Sequence, residues 1–220
     1  MIDLEAILLS LKLAFCTLVL LLPFGLWVGY SLVRANACKG WIEAFLALPL
    51  VLPPTVLGYY LLVGFGGGSF FGFPLVFSFA GILIASLIVN LPFAIQPIQR
   101  AFESINPEIR EAAEVSGVSG WQTFRLIELP LAWRGITSAA VLTFAHTLGE
   151  FGVVLMVGGA IPGETRTVSI AIYDKVQSFD TAGAGLLSLL LLAISLIAIA
   201  LSYGVLSPRK SPSLHRVSRC

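Results

Sequence analysis

Charged side chains are scarce in this sequence. Lys, Arg, Asp and Glu together make up 11% of its 220 residues, against about 25% in a soluble domain. Hydrophobic residues reach 57%, and the mean hydropathy is +0.95. A large domain outside a membrane is thereby excluded, because several apolar spans of about 20 residues consume nearly the whole length. The net charge of +1 offers no basis for a nucleic-acid partner. Cysteine is sparse too: Cys16, Cys38 and Cys220 share no metal-ligand or redox spacing and read as free thiols.

Other chemistries are missing as well. The glycine-rich stretch at 64–68 has no Lys-Ser or Lys-Thr after it, so it is not a phosphate-binding loop. No nucleophile, base and orienting group stand together, and His146 with Glu150 makes too few ligands for a metal site. The chain is therefore read as a non-enzyme that holds no cofactor or metal of its own. Asp3 and Glu5 precede the first apolar run, where a cleavable signal would be basic.

What remains is apolar and segmented. Five runs, at residues 6–33, 45–63, 78–97, 136–157 and 184–206, each approach the length of a membrane-crossing helix. Spans in lipid must satisfy their own backbone groups, which makes helices the expected form. The expectation is an all-α integral membrane protein with one membrane domain over 1–206 and a basic tail over 207–220. With the N-terminus outside and the C-terminus inside, ten of the thirteen Lys and Arg residues fall on inner segments, as the positive-inside rule requires. Prolines interrupt two of the runs: Pro49, Pro53 and Pro54 in the second, Pro92 and Pro97 in the third. Such breakers bend helices. They are read equally as pathway-forming bends or as prolines that membrane helices tolerate.

The inner segment 100–134 is the most charged stretch. It predicts two short helices. Asn106 is a cap, Pro107 a first helical residue, Gly117 a stop, and Ser119 with Gln122 a capping box, while Pro130 ends the second helix. Ile109, Ala112, Ala113 and Ser116 share one narrow face of the first helix. Alanines and glutamates suit docking against a protein better than lying on a lipid surface, which favours bulky apolar and basic residues.

Glu111, Ala112 and Ala113, then Gly117, then Ile127, Leu129 and Pro130 reproduce the spacing of the EAA loop of ABC importer permeases. The sequence resembles that family. Two further stretches, His146-Thr147-Leu148-Gly149-Glu150-Phe151-Gly152 and Ile161-Pro162-Gly163-Glu164-Thr165-Arg166-Thr167, together with Leu48-Pro49-Leu50-Val51-Leu52-Pro53-Pro54, narrow the resemblance to the molybdate permeases. Tungstate permeases are nearly alike, and sulfate permeases are similar around the Gly-Glu segment. The resemblance implies the type I ABC importer permease fold in a bacterial or archaeal cell membrane. It implies a coupling helix that docks on a cytoplasmic ATPase (two copies), a second copy of this chain, and an extracytoplasmic binding protein that delivers molybdate. ATP would be used by the partner.

Pro53, Pro54, Asn90, His146 and Glu150 are candidates for the pathway or for structural support, and Thr165 and Arg166 for contact with the delivery protein. A bare carboxylate repels a dianion, so Glu150 is read as structural, paired with His146 or with a helix N-terminus. Two competing classes are an ion-gradient transporter with Glu150 as proton carrier and a membrane-embedded enzyme using His146 and Glu150 as acid and base. Neither accounts for the EAA spacing.

Overall fold

The computed structural model describes residues 3–35, 38–66 and 75–206, the last six as backbone. The tail 207–220 and residues 67–68 of the glycine-rich stretch lie outside the described residues. Among the described residues all regular structure is helical: α1 (Leu4–Arg34), α2 (Lys39–Val51), α3 (Pro54–Gly66), α4 (Phe79–Glu103), α5 (Pro107–Val115), α6 (Gly120–Thr123), α7 (Leu129–Gly149), α8 (Gly152–Gly158), α9 (Val168–Gln177) and α10 (Thr181–Leu206). Helices α1, α4 and α10 are each long and apolar enough to cross a membrane. So are two bent pairs, α2 with α3 and Gly120–Gly149 with α8, if each is taken as one span.

Helix α4 is the centre of the bundle. Ile98 and Phe102 pack with Ala132 and Ala139 of α7, and Leu22, Leu26 and Tyr30 of α1 close the cluster. Small residues allow this closeness. A Cβ on Gly25 would lie 3.2 Å from the Ala94 Cβ, and one on Gly29 would lie 3.1 Å from Ile98 Cγ2. The Gly25/Gly29 pair is thus a helix-crossing site, the use that small residues four apart serve in membrane proteins. Gly135 seats α7 on α4 in the same way, under the Pro97 carbonyl.

Three sequence expectations are corrected here. The run 45–63 is not one kinked helix. It breaks at Leu52 and Pro53 into α2 and α3, which lie at 105° to one another. Two consecutive prolines remove two successive helical donors and push Leu52 into extended backbone, with ψ 136°. The run 136–157 likewise breaks, at Glu150 and Phe151, with a bend of 58°. Pro130, expected to stop a helix, does not. The helix runs from Gly120 to Gly149 through it, because a π turn at Phe124–Glu128 precedes it. The Leu129 N–H reaches the Phe124 carbonyl, and Pro130 then sits at the start of the next α-helical stretch, where a missing N–H costs least. Helix α9 lies between the fourth and fifth apolar runs.

Gly135→Ala is expected to loosen the α4–α7 contact, since the added Cβ would lie 2.6 Å from the Pro97 carbonyl oxygen. Overpacking of this kind costs about 1–3 kcal/mol. Thermal unfolding in detergent checks it, and an unchanged midpoint contradicts the described packing.

Candidate functional site

The two helix breaks meet. Pro54 opens α3 and Gly152 opens α8, and a Cβ on Gly152 would stand 2.7 Å from the Pro54 Cβ. Gly58, a turn further along α3, sits under Met156 of α8. Between the breaks lies a cavity of about 270 Å³, lined among others by Pro49, Pro54, Leu57, Phe93, His146 and Glu150. Four of the five residues singled out from the sequence as pathway or support candidates therefore gather here: Pro54, His146 and Glu150 line the cavity, and Asn90 stands behind it. Pro53 forms the break itself without lining the cavity.

Each polar side chain at this site makes at least one hydrogen bond. Asn90 is fully buried on α4; its amide donates to the Ser86 carbonyl at 2.8 Å. Its oxygen lies 3.1 Å from His146 Nδ1. An amide oxygen only accepts, so with this amide placement Nδ1 carries the proton. The imidazole stacks on Phe93, ring centroids 4.1 Å apart. Its Nε2 is 3.8 Å from Glu150 Oε2, too far for a direct hydrogen bond. Glu150 is not mid-helix. It ends α7, and its Oε1 accepts the Val153 N–H at 3.2 Å, capping α8. Of the two partners the sequence offered for Glu150, His146 and a helix N-terminus, its carboxylate hydrogen-bonds the first turn of α8.

The second site is the loop between α4 and α7. Its helix stops follow the sequence closely. Asn106 accepts the Glu108 N–H at 3.1 Å. Gly117 has φ +74°, and two bonds, Gly117 N–H to Glu114 and Val118 N–H to Ala113, both 3.0 Å, complete a glycine-ended helix terminus. Ser119 and Gln122 form the capping box. The shared face is only partly as expected. Ala113 turns inward and is buried, whereas Ile109, Ala112 and Ser116 stay exposed beside Glu111. Ile127 and Leu129 are half-buried, Leu129 against the α4 cluster, and Pro130 is exposed.

Glu128, which sequence reasoning passed over, joins three other segments of the chain. It is fully buried and accepts from Tyr30 Oη at 2.8 Å, Arg110 Nε at 2.6 Å and Arg34 Nη2 at 3.4 Å. The available signal was one acidic residue set between Ile127 and Leu129, with no other acid from Gln122 to Gly149.

Thr165 and Arg166 occupy the loop after α8. Thr165 is fully buried, which corrects its reading as a contact residue; its hydroxyl donates to the Gly158 carbonyl at 2.6 Å and accepts the Ile161 N–H. Arg166 ties the loop to both neighbours, donating to Asp174 at 2.8 Å and to Asp3 at 2.6 Å. The hydrogen bond to Asp174 raises its pKa; partial burial opposes this, and the Asp3 charge adds to the rise.

The sequence matches, over residues 21–212, a family described as the binding-protein-dependent transport system inner membrane component. It is 49% identical over 191 residues to the molybdenum transport system permease protein ModB of Azotobacter vinelandii, covering 83% of this chain and 84% of that one. It is 36% identical over 208 residues to ModB of Escherichia coli K12, covering 90% and 91%. Among solved structures, a chain of a bacterial alginate ABC transporter in complex with an alginate-bound periplasmic protein shares the fold, with TM-score 0.74 at 17% identity over 92% of this chain and 77% of that one.

Glu150→Ala removes the α8 cap and is expected to lower stability by about 0.5–2 kcal/mol. Glu150→Gln keeps an acceptor oxygen and should cost less. Thermal unfolding of both variants checks this, and equal losses contradict the capping role.

Proposed function

The chain belongs to the family of binding-protein-dependent transport system inner membrane components, and from that premise we propose that it is the permease subunit of an importer for molybdate. Two copies form the membrane pathway, a separate cytoplasmic ATPase drives it, and an extracytoplasmic binding protein delivers the oxyanion. The observation that carries this reading is the α5 loop. A nine-residue helix, capped at both ends, projects an exposed face of Glu111, Ala112 and Ser116 from the junction of α4 and α7. Such a face is a seat for another protein. The likeness to ModB proteins supplies the substrate.

The charge distribution supports an N-terminus outside. Arg34, Lys39, Arg100, Arg110 and Arg125 cluster where α1 ends, α2 begins, α4 ends and the long helix to α7 begins. Arg166 and Lys175 lie at the other end, with Asp3. In this reading the first group lies on the cytoplasmic side, as the positive-inside rule expects.

In this reading ATP binding draws the two α5 helices together and shifts the membrane helices between inward-open and outward-open states. The cavity between the breaks carries no Lys or Arg among its lining residues. A passage must not hold its ion in a deep well, or release slows. Glu150 lines that cavity with one carboxylate oxygen held by the Val153 N–H, so the positive end of α8 offsets part of its charge.

Uptake of labelled molybdate into proteoliposomes holding this chain, its ATPase, binding protein and ATP tests the proposal. ATP-dependent uptake blocked by tungstate but not by sulfate is the expected result. Block by sulfate moves the chain to the sulfate branch, and uptake without ATP contradicts the assignment.

Gly117→Arg, which forces a large charged residue into a left-handed position at the end of α5, is expected to abolish uptake while leaving the protein in the membrane. Normal co-purification of the ATPase with this variant counts against docking at α5.

A further inference from the structure

We propose that the buried Glu128–Arg110 pair is the mechanical link between the docking helix α5 and the membrane helices, with Arg110 and Glu128 as positioning residues for coupling. The inference rests on the permease reading above.

Packing alone holds α5 poorly. Of its nine residues only Ala113 is buried, and Val115 is 91% exposed. A push delivered to such a helix would tilt it against the bundle. Arg110 prevents that. It lies three residues before Ala113, on the same inner face. Its Nε donates to Glu128 Oε1 at 2.6 Å, and its Nη2 donates to the Phe102 carbonyl, near the end of α4, at 2.9 Å. Glu128 in turn receives Tyr30 and Arg34 of α1 on its other oxygen. One guanidinium and one carboxylate therefore join α5 to α1, α4 and the long helix leading into α7.

The arrangement is directional. A guanidinium presents donors in a fixed fork, so two simultaneous bonds set orientation as well as distance. Glu128 is fully buried, and a buried charge that loses its partner is not compensated by water. The π turn that ends at Glu128 supplies one extra residue, which rotates the following side chains by about 100° relative to an uninterrupted helix. Glu128 sits at the end of that turn, and π turns of this kind gather at functional positions.

The test compares Arg110→Gln with Arg110→Lys in the complex of permease, ATPase and binding protein. Arg110 is chosen because its side chain is partly exposed, and because Glu128 keeps Tyr30 and Arg34 as donors in the glutamine variant. ATP hydrolysed per molybdate imported is expected to rise about tenfold in Arg110→Gln with the ATPase still bound, and to recover partly in Arg110→Lys, which keeps one bond to Glu128. An unchanged ratio overturns the proposal, whether both rates stay normal or both fall together.

A second readout needs no substrate. Spin labels at Val115 and Leu131, both on exposed positions, report the distance between α5 and α7. The distance distribution is expected to widen in Arg110→Gln, and an unchanged distribution overturns the link. Because this measurement stands apart from uptake, it still decides the matter if the wild-type complex fails to import molybdate, a result that would sink the permease reading alone.

Discussion

Everything in this chain depends on one constraint: a backbone N–H or C=O in lipid must find a partner inside the protein. Continuous helices meet it along most of their length, and α1 and α4 run on through Pro23, Pro92 and Pro97. The two broken segments do not, and the protein concentrates polar and small residues at those points. Glu150 closes the exposed end of α8, and Gly152 lets Pro54 come into contact. Asn90 and His146 add a second layer of hydrogen bonding from α4 and α7. The breaks are thus fastened to each other and to the central helix.

The same logic extends to the charged end. Taking carboxylates out of water is costly unless each is paired. Glu128 is paired three ways, and Glu103 by Lys39 at 2.8 Å and Arg100 at 3.1 Å. These pairs sit where α1, α2, α4 and the α5 loop converge, so a partner protein pressing on α5 meets a stiff junction. The opposite end has its own clamp, Arg166 between Asp3 and Asp174, which fixes the start of α1 to α9.

Local features of this architecture were legible in the sequence, and long-range ones were not. Asn106, Gly117 and the Ser119/Gln122 box act within four residues of themselves, so their roles can be read from spacing. The four-residue spacing of Gly25 and Gly29 is visible in the sequence, but the surface they fit, Ala94 and Ile98 of α4, is not. By contrast, the partners of Glu128 lie 18, 94 and 98 residues away, and no local pattern announces them. The burial of Thr165 depends on Gly158 and Ile161 folding back over it. The bend of 105° at Leu52 and Pro53 needs two prolines and the packing of α3 on α8; proline alone suggests a kink, not its size. Pro130 misled because a π turn absorbed it, and no sequence pattern announced that turn.

The account rests on the claim that the paired breaks face a water-accessible passage. The most direct measurement is labelling of a single cysteine at Leu52, with Cys16, Cys38 and Cys220 replaced by serine, using a membrane-impermeant thiol reagent, with and without ATP and the ATPase. A cysteine at Leu196 on the exposed apolar face of α10 serves as the lipid-facing comparison. The account expects Leu52→Cys to react, at a rate that changes with ATP, while Leu196→Cys stays unlabelled. Failure of Leu52→Cys to react in either state would contradict it.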